Sequence, residues 1–145
     1  MSNFVISSNP VDVYRARDWF DDGNNQVDWI SATKNPLEIG DSVYIYEVIP
    51  SRGGRGGIVY KTKVIQINLT LQNKFDDNIY WAGGDYPIYI KNSTTFNRLE
   101  LISTPKNNLL PLTSLQNFGF HPPIKGAQSL DANLGLLHFI EEHFE

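Results

Sequence analysis

The sequence predicts an α+β domain in which apolar strands are covered by helices. Residues 42–49 are apolar on both faces, as in a strand inside a barrel or a covered sheet. Residues 58–71 alternate over a length that indicates a long strand. After Pro105 the pattern becomes helical, since Leu136, Ile140 and Phe144 recur at every fourth position and form a stripe that should pack against the strands.

The N-terminal part begins with a predicted strand over residues 4–7. Asn9 and Pro10 then favour a helix start, with Asn9 as the N-cap, and the predicted helix covers residues 10–21. Gly23 should end that helix, because glycine accepts the left-handed conformation found after helix ends.

The remaining elements follow from turn residues and periodicity. Strands are predicted over residues 86–90 and 98–102, the first of them at a sheet edge because it contains Pro87. Residues 51–57 hold four glycines and favour a flexible hairpin loop. A short helix over residues 111–118 should end at Gly119, and Asp131 is expected to cap the final helix.

Length and composition restrict the function classes. We expect residues 1–145 to form a single domain, since that length buries a core without covalent crosslinks. The chain has no cysteine, which excludes disulfides, a thiol nucleophile and Cys-ligated zinc. It has neither a signal-peptide pattern nor a run near the ~20 apolar residues of a membrane span. A cytoplasmic protein without membrane attachment is therefore expected.

The net charge of −4 makes general adhesion to phosphate backbones unfavourable. It leaves room for a local basic patch, for which Arg52, Arg55, Lys61 and Lys63 are the candidates. An ordinary solvated surface explains the same cluster equally well.

No pattern in the sequence indicates an enzyme. A nucleophile elbow, a His-Glu-x-x-His zinc motif and a P-loop are all missing. His138 and His143 are five residues apart and do not share a helix face, so no metal site is expected. Asp76 and Asp77 fall in an Asn-rich turn, where acidic residues are common. We therefore expect neither catalysis nor a cofactor.

Several motifs, taken in order, resemble the EVE domains of the PUA superfamily, which are related to YTH and ASCH domains. The motifs are Ser8-Asn9-Pro10, Asp28-Trp29, Gly40-Asp41-Ser42-Val43-Tyr44-Ile45-Tyr46, residues 60–64 and residues 112–130. The resemblance covers nearly the whole chain. It implies a PUA-like small β-barrel of about five to six strands flanked by helices, with a pocket that recognises a chemically modified nucleobase.

The resemblance also implies site residues. They are Ser8 and Asn9 after the first strand, Trp29 and Ser31 after the helix, and Trp81 from a later loop. One of the strand tyrosines Tyr44 and Tyr46 is expected in the core and the other at the pocket, and Tyr46 is taken as the pocket candidate. The tryptophans would stack a flipped methylated base, the serines and Asn9 would bind its edge, and the basic residues would contact phosphate. Similar domains are fused to restriction nucleases, so a nuclease or another effector is a possible partner.

Other interpretations of the same residues stay open. Trp29 and Trp81 could pack in the core, and Asn9 could serve only as a cap. The pocket could bind a small molecule or a free nucleoside, or the domain could be a regulatory interaction module. The sequence does not distinguish DNA from RNA as the partner, but salt dependence separates nucleic-acid binding from nucleoside binding.

Overall fold

The computed structural model describes residues 1–31, 35–49, 56–124 and 126–144. Within these ranges, the strands are β1 (Asn3–Ser8), β2 (Gln26–Ile30), β3 (Ser42–Glu47), β4 (Gly57–Leu69), β5 (Phe96–Ser103), β6 (Leu110–Pro111) and β7 (Gln128–Ser129). The helices are α1 (Ala16–Asp21), α2 (Leu112–Gln116) and α3 (Leu134–Glu142), accompanied by short 3₁₀ turns. No helix in these ranges is long and apolar enough to cross a membrane.

The described strands form one sheet in the order β2-β5-β4-β3-β1-β7, with β6 paired to β4. Strands β1 and β3 are parallel, and the other neighbours are antiparallel. The central strand β4 has 13 residues and pairs with both β3 and β5, with register shifts along its length. Five longer strands and two short ones therefore form a mixed sheet in the described residues, where the sequence predicted a small barrel of about five to six strands.

Alternation along the strands separates two hydrophobic cores. Phe4 and Ile6 point into the first core, which also contains residues of α1. Val5 and Tyr44 point into the second core on the opposite face, where α2 and α3 pack. The predicted stripe of α3 is confirmed, since Leu136, Ile140 and Phe144 are all buried in this second core.

The first helix is shorter than the sequence predicted. It begins at Ala16, and residues 10–13 form a turn in which the Asn9 carbonyl accepts the N–H groups of Val13 and Tyr14 at 3.1 and 3.0 Å. Tyr14 then forms an isolated β-bridge with Trp81. The predicted helix start is wrong because the chain makes only a turn at residues 10–13 and then pairs with a distant segment at Tyr14.

Two strand assignments also differ from the prediction. Trp29, for which the sequence predicted no strand, lies in β2 opposite Asn97 of β5. Residues 86–90, expected as a strand, instead contain a turn in which the Ile90 N–H donates to the Pro87 carbonyl at 3.0 Å.

The cap of the last helix was assigned to the wrong residue. Asn133 caps α3, because its Oδ1 accepts the N–H of Leu136 at 3.2 Å. Asp131 instead accepts a 3.0 Å hydrogen bond from the side chain of Asn3. It therefore helps to hold the segment before α3 against β1.

Candidate functional site

A cavity of about 150 Å³ opens between the end of β1, the turn that follows it and β2. It is lined by Ser7, Ser8, Asn9, Val13, Tyr14, Asp28, Trp29, Ile30 and Trp81. We call it the first cavity. A cavity of roughly 150 Å³ in another protein accepts a benzene ring, so the space suits a flat six-membered ring.

Three aromatic side chains form one wall of this cavity. The Tyr14 ring meets Trp81 at 5.0 Å between centroids and 61°, and meets Trp29 at 5.9 Å and 78°. These are edge-to-face contacts, which are favourable for aromatic pairs. Trp81 is buried and Trp29 is half-buried. The structure thus brings the two tryptophans predicted from the sequence to one cavity, with Tyr14 between them.

A buried carboxylate, Asp77, supports this wall from behind. The Tyr14 hydroxyl donates to Asp77 Oδ2 at 2.9 Å. The other oxygen, Oδ1, accepts from Trp81 Nε1 and the Tyr86 hydroxyl, each at 3.3 Å, and from the ammonium of Lys74. Four donors use the roughly four acceptor positions of an ionised carboxylate. The orientation of both rings is therefore set by one fully satisfied group.

Lys74 neutralises that carboxylate inside the protein. Its side chain and that of Asp77 are fully buried, and its ammonium lies 4.8 Å from the centroid of the Tyr86 ring. Burial, followed by the charge of Asp77, raises the pKa of Tyr14. Tyr14 consequently remains a protonated donor at neutral pH.

Ser8 presents a hydroxyl at the cavity without any partner. It is 4% exposed, and its oxygen has no hydrogen-bond partner among the described residues. Alternation along β1 places its side chain on the same face as Phe4 and Ile6, toward the first core. Leaving a buried hydroxyl unpaired costs about 1–3 kcal/mol, so a partner supplied by a ligand would recover that loss.

Asp28 also lines the cavity, and its side chain is fully buried. Its oxygens accept two hydrogen bonds from Arg98, at 2.8 and 3.0 Å, and one from the N–H of Phe75 at 2.7 Å. The Arg98 guanidinium lies 3.8 Å from the centroid of the Phe75 ring, which fixes its position. Three of about four acceptor positions are used, so Oδ1 can accept one further donor.

Asn9 and Ser31 occupy the edges of the site. Asn9 lines the first cavity, but its Oδ1 accepts the N–H groups of Val11 and Asp12, and its amide donates to Asp12 at 3.2 Å. Ser31 lines a second cavity of about 240 Å³ and donates to Asn97 at 3.3 Å. Trp29 lines both cavities.

The prediction that Tyr46 faces the pocket is wrong. Tyr46 is fully buried in the second core, where its ring lies 5.2 Å from that of Phe120. Its hydroxyl accepts the N–H of Gly56 at 3.0 Å. Alternation along β3 is the physical reason, because it directs Tyr44 and Tyr46 to the same face of the sheet.

Of the four predicted phosphate contacts, the two described residues, Lys61 and Lys63, do not line the first cavity. The Lys61 ammonium lies 5.8 Å from the centroid of the Tyr44 ring, on the face of the second core. Lys63 lies two residues further along β4, on the same face. It pairs with Ser42 of β3, which in turn pairs with Asn3, and Asn3 is at the opposite end of β1 from Ser8. Arg52 and Arg55 lie outside the described residues. Phosphate binding by these four residues stays a prediction.

Tyr14, Asp28 and Asp77 were not among the site residues predicted from the sequence. Asp28 precedes Trp29 directly, and a charged residue inside a strand was the available signal. Asp77 had no such signal, since its partner Tyr14 is 63 residues away in the chain. In the described part of the chain, no group of three or more His, Asp or Glu residues could hold a metal ion.

Comparison with a solved structure identifies the fold. The crystal structure of human THYN1 protein in complex with 5-methylcytosine containing DNA superimposes with a TM-score of 0.65, covering 100% of this chain and 99% of THYN1 at 13% sequence identity. The chain has the fold of THYN1. No protein-family model matches the sequence, and no curated protein matches it either. The predicted α+β, PUA-like fold is confirmed.

Proposed function

We propose that the first cavity binds a single modified base, of the 5-methylcytosine type, that has been turned out of a DNA strand, and that it does so without catalysis. The observation that carries this proposal is the buried, unpartnered hydroxyl of Ser8 beside an aromatic wall. A polar atom left unpaired in the free protein is explained when the bound ligand supplies its partner.

Stacking supplies the first part of the binding energy. Turning a base out of a helix costs a few kcal/mol, and stacking on an aromatic side chain returns about 1–3 kcal/mol per base. Trp29 is the half-buried member of the wall and is the ring that a guest can cover. Tyr14 and Trp81 hold its surroundings rigid, which reduces the entropy lost on binding.

Hydrogen bonding supplies the selectivity for cytosine. Cytosine carries an amino donor at N4 beside the acceptor N3, whereas thymine has the acceptor O4 where cytosine has its amino group. Asp28 Oδ1 can accept from the amino group, and the Ser8 hydroxyl can donate to the ring nitrogen. Thymine would place its O4 against the carboxylate, so the cavity should reject it.

The methyl group adds a smaller effect. Val13 and Ile30 provide apolar surface in the cavity. Burial of one methyl is worth about 0.8 kcal/mol, which corresponds to roughly fourfold in affinity. The preference for methylated over unmodified cytosine should therefore be modest unless the methyl fills the cavity closely.

The structural neighbour supports DNA as the partner. Human THYN1 has the same fold over nearly its whole length and was crystallised with DNA containing 5-methylcytosine. RNA and a nuclease partner have no comparable support and remain expectations from the sequence.

The test is a titration of tryptophan fluorescence with single-stranded and duplex oligonucleotides that differ only in one base. We expect affinity to decrease from 5-methylcytosine to cytosine to thymine at that position. Equal affinity for the three bases would contradict the proposal. Binding of the free nucleoside with the same affinity at low and high salt, without binding of the oligonucleotides, would favour a nucleoside-binding domain.

A further inference from the structure

The loop of residues 82–95 begins and ends at the first cavity. It leaves from Trp81, which lines the cavity, and returns at Phe96, which is level with Ile30 of the cavity wall. Next to that point the Ser31 N–H donates to the Thr95 carbonyl at 2.9 Å. The loop therefore projects from the rim of the cavity.

The tip of this loop exposes two large side chains. The Ile90 N–H donates to the Pro87 carbonyl at 3.0 Å, which makes Ile88 and Tyr89 the central residues of the turn. Ile88 is 99% exposed and Tyr89 is 56% exposed. Central turn positions usually hold Gly, Asn, Asp, Ser or Pro, so the demands of the turn do not explain an isoleucine and a tyrosine there.

Both sides of the tip are anchored. Tyr86 donates to Asp77 at 3.3 Å, and its ring meets Trp81 at 5.9 Å. Ile90 packs against the first core. The tip is thus held outward by the same carboxylate that positions the cavity wall. The exposed Lys91 follows the turn and carries a positive charge beside it.

We propose that Ile88 and Tyr89 enter a DNA duplex at the position that the flipped base leaves empty. This inference rests on the proposed function and deepens it, because it makes duplex DNA the substrate from which the base is taken. A vacated stack exposes apolar base faces, and inserted apolar side chains such as isoleucine occupy such steps in other DNA complexes. Tyr89 adds an aromatic face for stacking, and the positive charge of the exposed Lys91 would favour a phosphate beside the tip.

The test compares the wild-type protein with the double variant Ile88→Ala/Tyr89→Ala on two probes of one sequence. One probe is a duplex with a single 5-methylcytosine, and the other is the same strand alone. Because a single strand has no stack to refill, we expect duplex affinity to fall at least about fivefold and single-strand affinity to change less than about twofold. Leu134→Ala, an exposed aliphatic residue at the start of α3, is the matched control and should change neither affinity.

The outcomes separate the two proposals. If duplex affinity is unchanged in the double variant, or if both probes lose affinity equally, the tip does not fill the vacated position. If the wild type binds the single strand and not the duplex, the insertion is refuted while the proposed base recognition stands. If the wild type binds neither probe, both proposals fail.

Discussion

The Tyr14 hydroxyl donates a 2.9 Å hydrogen bond to Asp77, and this bond connects the aromatic wall of the cavity to a buried ion pair. The connection makes the wall and the ion pair one structural unit. Asp77 also holds Tyr86 at the base of the loop that carries Ile88. A single carboxylate therefore orients both the proposed base pocket and the proposed inserting loop.

Replacement of this carboxylate should be costly. Asp77→Asn leaves the Lys74 ammonium buried without its counter-charge, and loss of one partner of a buried ion pair typically costs about 3–5 kcal/mol. Urea denaturation followed by circular dichroism measures the change. Asp76→Asn is the matched control, because Asp76 is exposed and should shift the unfolding free energy by less than about 0.5 kcal/mol. Equal effects of the two variants would contradict the assigned role of Asp77.

Removal of the Ser8 hydroxyl should have opposite effects on stability and binding. This hydroxyl is buried and has no partner among the described residues, so Ser8→Ala should raise the unfolding free energy by up to about 1–3 kcal/mol. The same change should weaken binding of 5-methylcytosine DNA at least about tenfold, because the ligand loses its donor. Paired denaturation and fluorescence titrations measure both effects.

Ser42→Ala, at the other end of the sheet and level with Asn3, should leave binding unchanged. Loss of stability in Ser8→Ala together with unchanged affinity would show that Ser8 is a structural residue and not a ligand contact.

Trp29 should carry the stacking energy. Trp29→Ala is expected to lower affinity by about 1–3 kcal/mol, or roughly 5- to 150-fold, for every base placed in the cavity. Since Trp29 is half-buried at the cavity, the variant should remain folded. Titration with 5-methylcytosine and cytosine probes distinguishes a general loss of affinity from a loss of selectivity. A folded variant with unchanged affinity would remove Trp29 from the site.

Alkaline pH should destabilise the protein through its buried tyrosines, among them Tyr44 and Tyr60. Burial raises the pKa of Tyr44 and of Tyr60 from 10.0 to about 12. Between pH 10 and 12 the unfolded chain therefore loses these protons while the folded protein keeps them. The unfolding free energy should fall by about 1.4 kcal/mol per pH unit for each tyrosine in that window, and should be unaffected by them below pH 10.

The slope of the unfolding free energy against pH shows how much of this effect one tyrosine contributes. Tyr60→Phe should reduce the slope of unfolding free energy against pH by the share of one tyrosine. Tyr89→Phe serves as the control, because Tyr89 is 56% exposed in the folded protein and its removal should leave the slope unchanged. A slope that is the same in all three proteins would contradict the contribution of Tyr60.

Strong local patterns in the sequence were sufficient to predict part of the fold. The continuous apolar character of β3, the length of β4 and the stripe on α3 were all predicted within a few residues of their observed bounds. In these elements, hydrophobic residues recur at the expected spacing over several helical turns or strand repeats, so the pattern identifies the element. The strand β2 was missed because it contains Asp28, whose burial requires Arg98 at a separation of 70 residues.

The residues of the candidate site were also predicted only in part. Ser8 and the two tryptophans were predicted through the resemblance, whereas Tyr46 was assigned to the wrong face of the sheet. The apolar segment at residues 86–90 looked like a strand, yet its isoleucine and tyrosine are exposed on a turn. Sequence periodicity cannot distinguish apolar residues that a core requires from apolar residues that a surface uses.

The sequence alone determined the class of fold and the residue types available for binding, because hydrophobic periodicity and local turn preferences act over short distances along the chain. Tertiary structure alone decided that Tyr14 stands between Trp29 and Trp81, that Asp77 holds two of these rings, and that the Ser8 hydroxyl remains unpaired. These relationships join segments that are far apart in the chain, and the free energy of each depends on which groups meet in the folded protein.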